Sequence, residues 1–105
     1  MASRREKIEA LLKDEPGDPF LRYGLAVEYD NEGRTDEALE VFRGLMRDQP
    51  PHVASYFRGA QLLVKLGEIE DARAALRDGI EIARQQGDLH AAGEMGELLA
   101  SLGAL

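Results

Sequence analysis

One self-similarity constrains this chain more than any other feature. The segment DEALEVFRGLMRDQP at residues 36–50 returns in altered form as EDARAALRDGIEIAR at 70–84. Ala38 pairs with Ala72, Phe42 with Leu76, and Gly33 with Gly67, every pair separated by the same interval. A fixed interval of about 34 residues marks one supersecondary unit copied along the chain. A lone unit cannot bury its apolar face, whereas stacked copies can. A length of 105 residues fits one domain or a short array of such units.

Turn signals divide the chain into six helices, with no stretch patterned as a strand. The first helix is expected over 3–14, where Ser3 and Glu6 have the spacing of a capping box. Pro16 and Gly17 end it. Asp18 and Pro19 then open a second helix that stops near Glu32 and Gly33. A third starts after Thr35, with Asp36 and Glu37 favoured by the helix dipole, and ends before Pro50 and Pro51. The fourth covers 52–66 and stops at Gly67. The fifth begins near Ile69 and has Arg84 where a proline would correspond to Pro50, so it should run on to about Gln86. Asp88 caps a sixth that reaches Leu102. Turns of two to five residues fold each helix back on its neighbour.

One period apart, Leu25-Ala26-x2-Tyr29, Gly33, Ala38-x3-Phe42 and Pro50 meet Gly59-Ala60-x2-Leu63, Gly67 and Ala72-x3-Leu76. Small residues recur where helices must cross closely, and bulky ones recur beside them. The pattern resembles the tetratricopeptide repeat, W-x2-L-G-x2-Y, A-x3-F, P. It departs at Arg22 in place of tryptophan, Ala26 in place of glycine, Gly59 in place of leucine, and in the missing second proline. The resemblance implies an all-α fold, a right-handed stack of antiparallel helical hairpins. It divides the single domain 1–105 into a half repeat (3–16), repeat one (19–52), repeat two (53–86) and a terminal capping helix (88–102). Ala38 and Ala72 should be buried at helix crossings. Gly93 and Gly96 in the last helix each cost about 1 kcal/mol against alanine. Either they admit a close neighbour, or that helix is loosely held.

Composition excludes several function classes. There is no cysteine, which removes disulfides and thiolate metal sites and fits a reducing compartment. The start MASRREKIEALL places charges where a secretory signal needs an apolar run, and LLASLGAL is too short to span a bilayer. A cytoplasmic protein is expected. The abundance of arginine over lysine fits a GC-rich bacterial genome. A net charge of −7 repels nucleic acid and anionic membrane, so neither is expected as a partner. His52 and His90 lie far apart without patterned ligands and are read as solvated or structural. GEMG at 93–96 has the spacing of a nucleic-acid clamp but sits in an acidic helical setting. No nucleophile elbow, phosphate loop or acid–base pair is present, so neither enzymatic activity nor any cofactor or metal is expected.

Surplus apolar residues carry the functional expectation. In the second helix, Leu21, Leu25 and Tyr29 suffice for packing, yet Phe20, Tyr23 and Val27 form another stripe. Steps of one period give three rows: Tyr23–Phe57–Ala91, Val27–Gln61–Met95 and Asp30–Val64–Leu98. The family resemblance implies that such rows line a concave groove for a partner protein or peptide, so Phe20 and the three rows are the candidate binding residues. The alternative is a self-associating unit, a homodimer that uses the same surface or the C-terminal helix. Some chaperone-binding members hold a peptide carboxylate with Lys and Asn. Here the corresponding places carry Tyr23, Val27, Ala91 and Met95, with Arg58 and Lys65 peripheral. An apolar or helical partner segment is therefore expected.

Overall fold

The computed structural model describes residues 1–103. Among them are six helices and no strand: α1 (Arg4–Asp14), α2 (Pro19–Asn31), α3 (Thr35–Met46), α4 (Val53–Lys65), α5 (Ile69–Gln85) and α6 (Leu89–Leu102). The start signals act through specific hydrogen bonds. Ser3 Oγ accepts from the Glu6 N–H at 3.1 Å, and the Ser3 N–H donates to Glu6 Oε1 at 2.9 Å. Asp18 Oδ1 accepts from the N–H groups of Phe20 and Leu21. Asp88 Oδ1 accepts from the Ala91 N–H at 3.1 Å. Thr35 differs from expectation: it is the first residue of α3, and its hydroxyl turns back to the Gly33 carbonyl. The stops at Gly33, Gly67 and Gly87 have φ of +77°, +79° and +76°, a region that strains any L side chain. With no proline at position 84, α5 runs to 17 residues.

Each helix packs on the next in chain order, and α4 also touches α6. The hairpins α2–α3 and α4–α5 thus stack, with α1 on one flank and α6 on the other, in a body of 45 × 29 × 19 Å. Ala26, Ala38, Ala60 and Ala72 have no accessible surface, and Phe42, Leu45 and Leu76 are buried in the same core. Two glycines permit closer approach still. A Cβ on Gly59 would stand 2.5 Å from Met46 Cε. One on Gly79 would stand 2.6 Å from both Met95 Sδ and Tyr56 Cβ. The Tyr56 hydroxyl then donates to the Met46 carbonyl at 3.1 Å. Arg22, in the tryptophan position, crosses Gly44 and pairs with Asp48 at 2.6 Å, which ties α2 to the α3–α4 turn.

The last helix is out of phase with the rows expected from the repeat. α2 begins at Pro19 and α4 at Val53, one period on, but α6 begins at Leu89, two positions later than the same period would place it. The longer α5 and its glycine turn account for the added pair. In this register Ala92-x2-Met95-Gly96-x2-Leu99 takes the places of Tyr56-x2-Gly59-Ala60-x2-Leu63. Met95 (0% exposed) faces α5 as Gly59 faces α3. A Cβ on Gly93 or Gly96 would meet no atom within 4 Å, so these glycines admit no close neighbour among the described residues. Met95 and Leu102, both buried, dock α6, and Arg73 Nη2 donates to the Leu102 carbonyl at 2.5 Å.

The α3–α4 junction holds a half-buried histidine. His52 Nδ1 lies 2.8 Å from Ser55 Oγ, and the ring tilts against Tyr23 at 5.2 Å between centroids. Burial lowers its pKa from the usual histidine value, with Arg22 acting in the same sense and Asp48 opposing. A histidine with a depressed folded-state pKa binds its proton more readily when unfolded. Its contribution to stability is complete above the unfolded pKa of about 6.5 and is lost as pH falls through the folded value.

Four outcomes follow from this packing. Ala72→Leu should lower stability by about 1–3 kcal/mol through overpacking, read from denaturant midpoints. Gly79→Ala should destabilise by a similar amount, about 1–3 kcal/mol, because Tyr56 Cβ cannot swing aside, whereas Gly93→Ala should stabilise by about 1 kcal/mol. Between pH 7 and pH 5, His52→Gln should lose less stability than the parent chain in parallel urea titrations.

Candidate functional site

Helices α2, α4 and α6 lie side by side as the first members of successive hairpins. Between α4 and α6, a cleft of about 400 Å³ is lined by Tyr23, Val53, Ala54, Phe57, Arg58, Gln61, Asp88, His90, Ala91 and Glu94. It unites four of the residues expected from sequence: Tyr23, Phe57, Gln61 and Ala91. Tyr23 is fixed from behind by an edge contact with Phe42 at 5.7 Å, and burial raises its phenol pKa, with Arg58 opposing. Phe57 packs one side against the core and presents the rest to the cleft.

A second recess of about 160 Å³ lies between α2 and α4, lined by Asp30, Arg58, Gln61, Leu62 and Lys65. Asp30 Oδ1 accepts from Lys65 Nζ at 3.1 Å, and Oδ2 lies 3.7 Å from the Arg58 guanidinium. Asp30 is thus a clamp between α2 and α4, and its charge is already answered.

The remaining expected residues fall elsewhere. Val27, Val64 and Leu98 are half-buried against the core and line neither recess. Phe20 is 81% exposed at the start of α2, outside both. Met95 is a correction: it is fully buried between Gly79 and Tyr56 and offers no surface. The two-position shift of α6 is the reason. In the true register Tyr23–Phe57 continue to Gly93, and Val27–Gln61 to Glu97, neither of them a basic residue.

Sequence reasoning missed Arg58, His90 and Glu94 as lining residues. Arg58, expected at the periphery, borders both recesses. His90 Nε2 lies 3.2 Å from Glu94 Oε1 on the exposed side of α6. The length of α5, legible from the missing proline, is the signal that would have placed them, since the longer step sets Ala54 beside His90 and Arg58 beside Glu94. The cleft therefore combines aromatic and small apolar side chains with one guanidinium, one imidazole and two carboxylates, a surface for a segment of mixed polarity. A recess of about 570 Å³ on the other side of α2 lies between α1 and α3, over Leu25 and Tyr29. It draws on α1 and the first hairpin and does not reach α4 or α6. Among the described residues, no three His, Asp or Glu side chains cluster to hold a metal, and no helix is long and apolar enough to cross a membrane.

No curated protein matches the chain significantly. Solved structures do. A tetratricopeptide repeat domain protein from Salinibacter ruber, solved by NMR, is 31% identical, with a TM-score of 0.81 over 86% of this chain and 91% of that one. A crystal structure of a tetratricopeptide repeat domain protein from the same organism is 31% identical, with a TM-score of 0.77 over 84% and 98%. The solution structure of a Bordetella parapertussis protein is 25% identical, with a TM-score of 0.83 over 99% and 90%. A tetratricopeptide repeat family profile matches residues 31–95. Repeats of this kind are in general protein–protein interaction modules on non-catalytic scaffolds. The chain belongs to the tetratricopeptide repeat family.

Proposed function

We propose that this chain is a cytoplasmic adaptor that holds an apolar or helical segment of a partner protein against α2, α4 and α6. The division into a half repeat (3–16), two repeats (19–52 and 53–86) and a terminal helix (88–102) belongs to the same reading. The observation that carries it is the α4–α6 cleft, in which Phe57, Tyr23 and Ala91 supply apolar contact while Arg58 and Glu94 stand beside them. Aromatic side chains partly withdrawn from water at the centre of a cleft are where binding energy concentrates. Arg58 and Glu94 would set the direction of the bound segment, since each favours an opposite charge.

A displayed library of short peptides, selected on the intact chain, tests this. Selected sequences should carry an apolar face at helical spacing and bind the parent chain. Phe57→Ala and Gln61→Arg should each weaken them at least about tenfold, which is about 1.4 kcal/mol. Thermal melts of both variants control for folding. Selected peptides indifferent to both substitutions would place binding elsewhere and overturn the proposal.

A further inference from the structure

We infer that the segment held in the α4–α6 cleft is a basic amphipathic helix. Its apolar stripe sits on Tyr23, Phe57 and Ala91, and its lysines or arginines run along the α6 wall. This rests on the binding role proposed above for the cleft and adds the chemistry of what the cleft takes.

Charge is unevenly divided between the two walls. On the α2–α4 side stand Arg58 and Lys65, and one carboxylate already holds both. Asp30 Oδ1 lies 3.1 Å from Lys65 Nζ, and Oδ2 lies 3.7 Å from the Arg58 guanidinium. An incoming acid would have to compete with Asp30 for either cation. On the α6 side, Asp88 and Glu94 line the cleft. Glu97 follows, exposed, at the position that corresponds to Gln61. α6 contains no lysine or arginine. Asp88 accepts the Ala91 N–H at 3.1 Å, and Glu94 has the His90 imidazole at 3.2 Å. Among the described residues, no lysine or arginine forms an ion pair with Asp88, Glu94 or Glu97. The net charge of −7 has the same sign as this wall and favours the approach of a cationic segment.

The layout of the wall selects the conformation of the segment. Glu94 and Glu97 are about one helical turn apart, so they form a row along α6. The row runs beside the apolar contacts rather than among them. A matching segment must carry an apolar stripe and a cationic stripe side by side. In an extended strand successive side chains point to opposite faces, so cations alternating with apolar residues would point away from the cleft. A helix places the two stripes on adjacent faces. Lysine and arginine suit this edge because their aliphatic stems cover apolar surface while their charged heads stay in water.

Three labelled peptides of about 18 residues, long enough to hold a helix in an alanine background, test the inference. All share one leucine stripe at helical spacing, and the flank beside it carries lysine, glutamine or glutamate. Fluorescence anisotropy against the full chain reads their affinities. At low salt the lysine peptide should bind at least about fivefold more tightly than the glutamine peptide, and the glutamate peptide most weakly. Added salt should shrink the lysine advantage. Glu94→Lys combined with Glu97→Lys should abolish that advantage or turn it toward glutamate. Melting curves check its folding, and Glu94→Gln with Glu97→Gln, expected to abolish the advantage, replaces it if they change. Equal binding of the three peptides, each weakened by Phe57→Ala, would overturn the inference and leave the binding role of the cleft intact. A lysine preference unchanged in the double variant would overturn it as well, since its source would be the charge of the whole chain. So would failure of the lysine peptide to bind. Binding indifferent to Phe57→Ala would overturn the binding role of the cleft, and the inference with it.

Discussion

Helices come together in this chain where side chains shrink to a methyl group or to nothing. Ala26, Ala38, Ala60 and Ala72 are fully buried in the core, while Gly59 sets the approach of α4 to α3 between hairpins and Gly79 admits Tyr56 within the second hairpin and Met95 from α6. Interiors are packed as densely as organic crystals, so a missing Cβ is immediately filled by a neighbour. Met46 enters over Gly59, and Tyr56 with Met95 enters over Gly79. The rest of the architecture follows from that spacing. Tyr56 reaches the Met46 carbonyl because Gly79 lets its ring in, and Arg22 reaches Asp48 across Gly44. The chain replaces the family's tryptophan with a salt bridge at one repeat and a tyrosine hydrogen bond at the next, the first reaching the turn after α3 and the second the last residue of α3.

The same geometry gives the concave surface its character. Tyr23 cannot lean away from the cleft because Phe42 and His52 stand behind it. Asp30 draws Arg58 and Lys65 toward α2, which links two hairpins across the face where a partner would lie. Such a cross-link costs little to form between partly exposed side chains and contributes little to stability. Its consequence is positional: it keeps Arg58 beside Phe57, so apolar contact and a charge fall within one cleft.

The two flanks of the described stack differ. On α1, Leu11 stays in water and Arg4 reaches Glu28 of α2, whereas α6 carries small residues with Leu89 exposed and Met95 buried.

Much was legible in the residues themselves. The repeated interval, the alanines at its crossing points and the glycine stops define six helices and their order, because caps and left-handed turns are local chemistry. The missing proline at Arg84 likewise announced a longer α5. What a fixed interval could not convey was the effect of that length on the helix after it. Two added positions rotate α6 by more than half a turn, moving Met95 from the expected groove row into the core and bringing His90 and Glu94 to the cleft. Gly79 was silent in the sequence for a related reason. A glycine records an absence, and which side chain fills it depends on two other helices. Local signals determined the elements; only the packing of one helix on the next decided which face of each was left open.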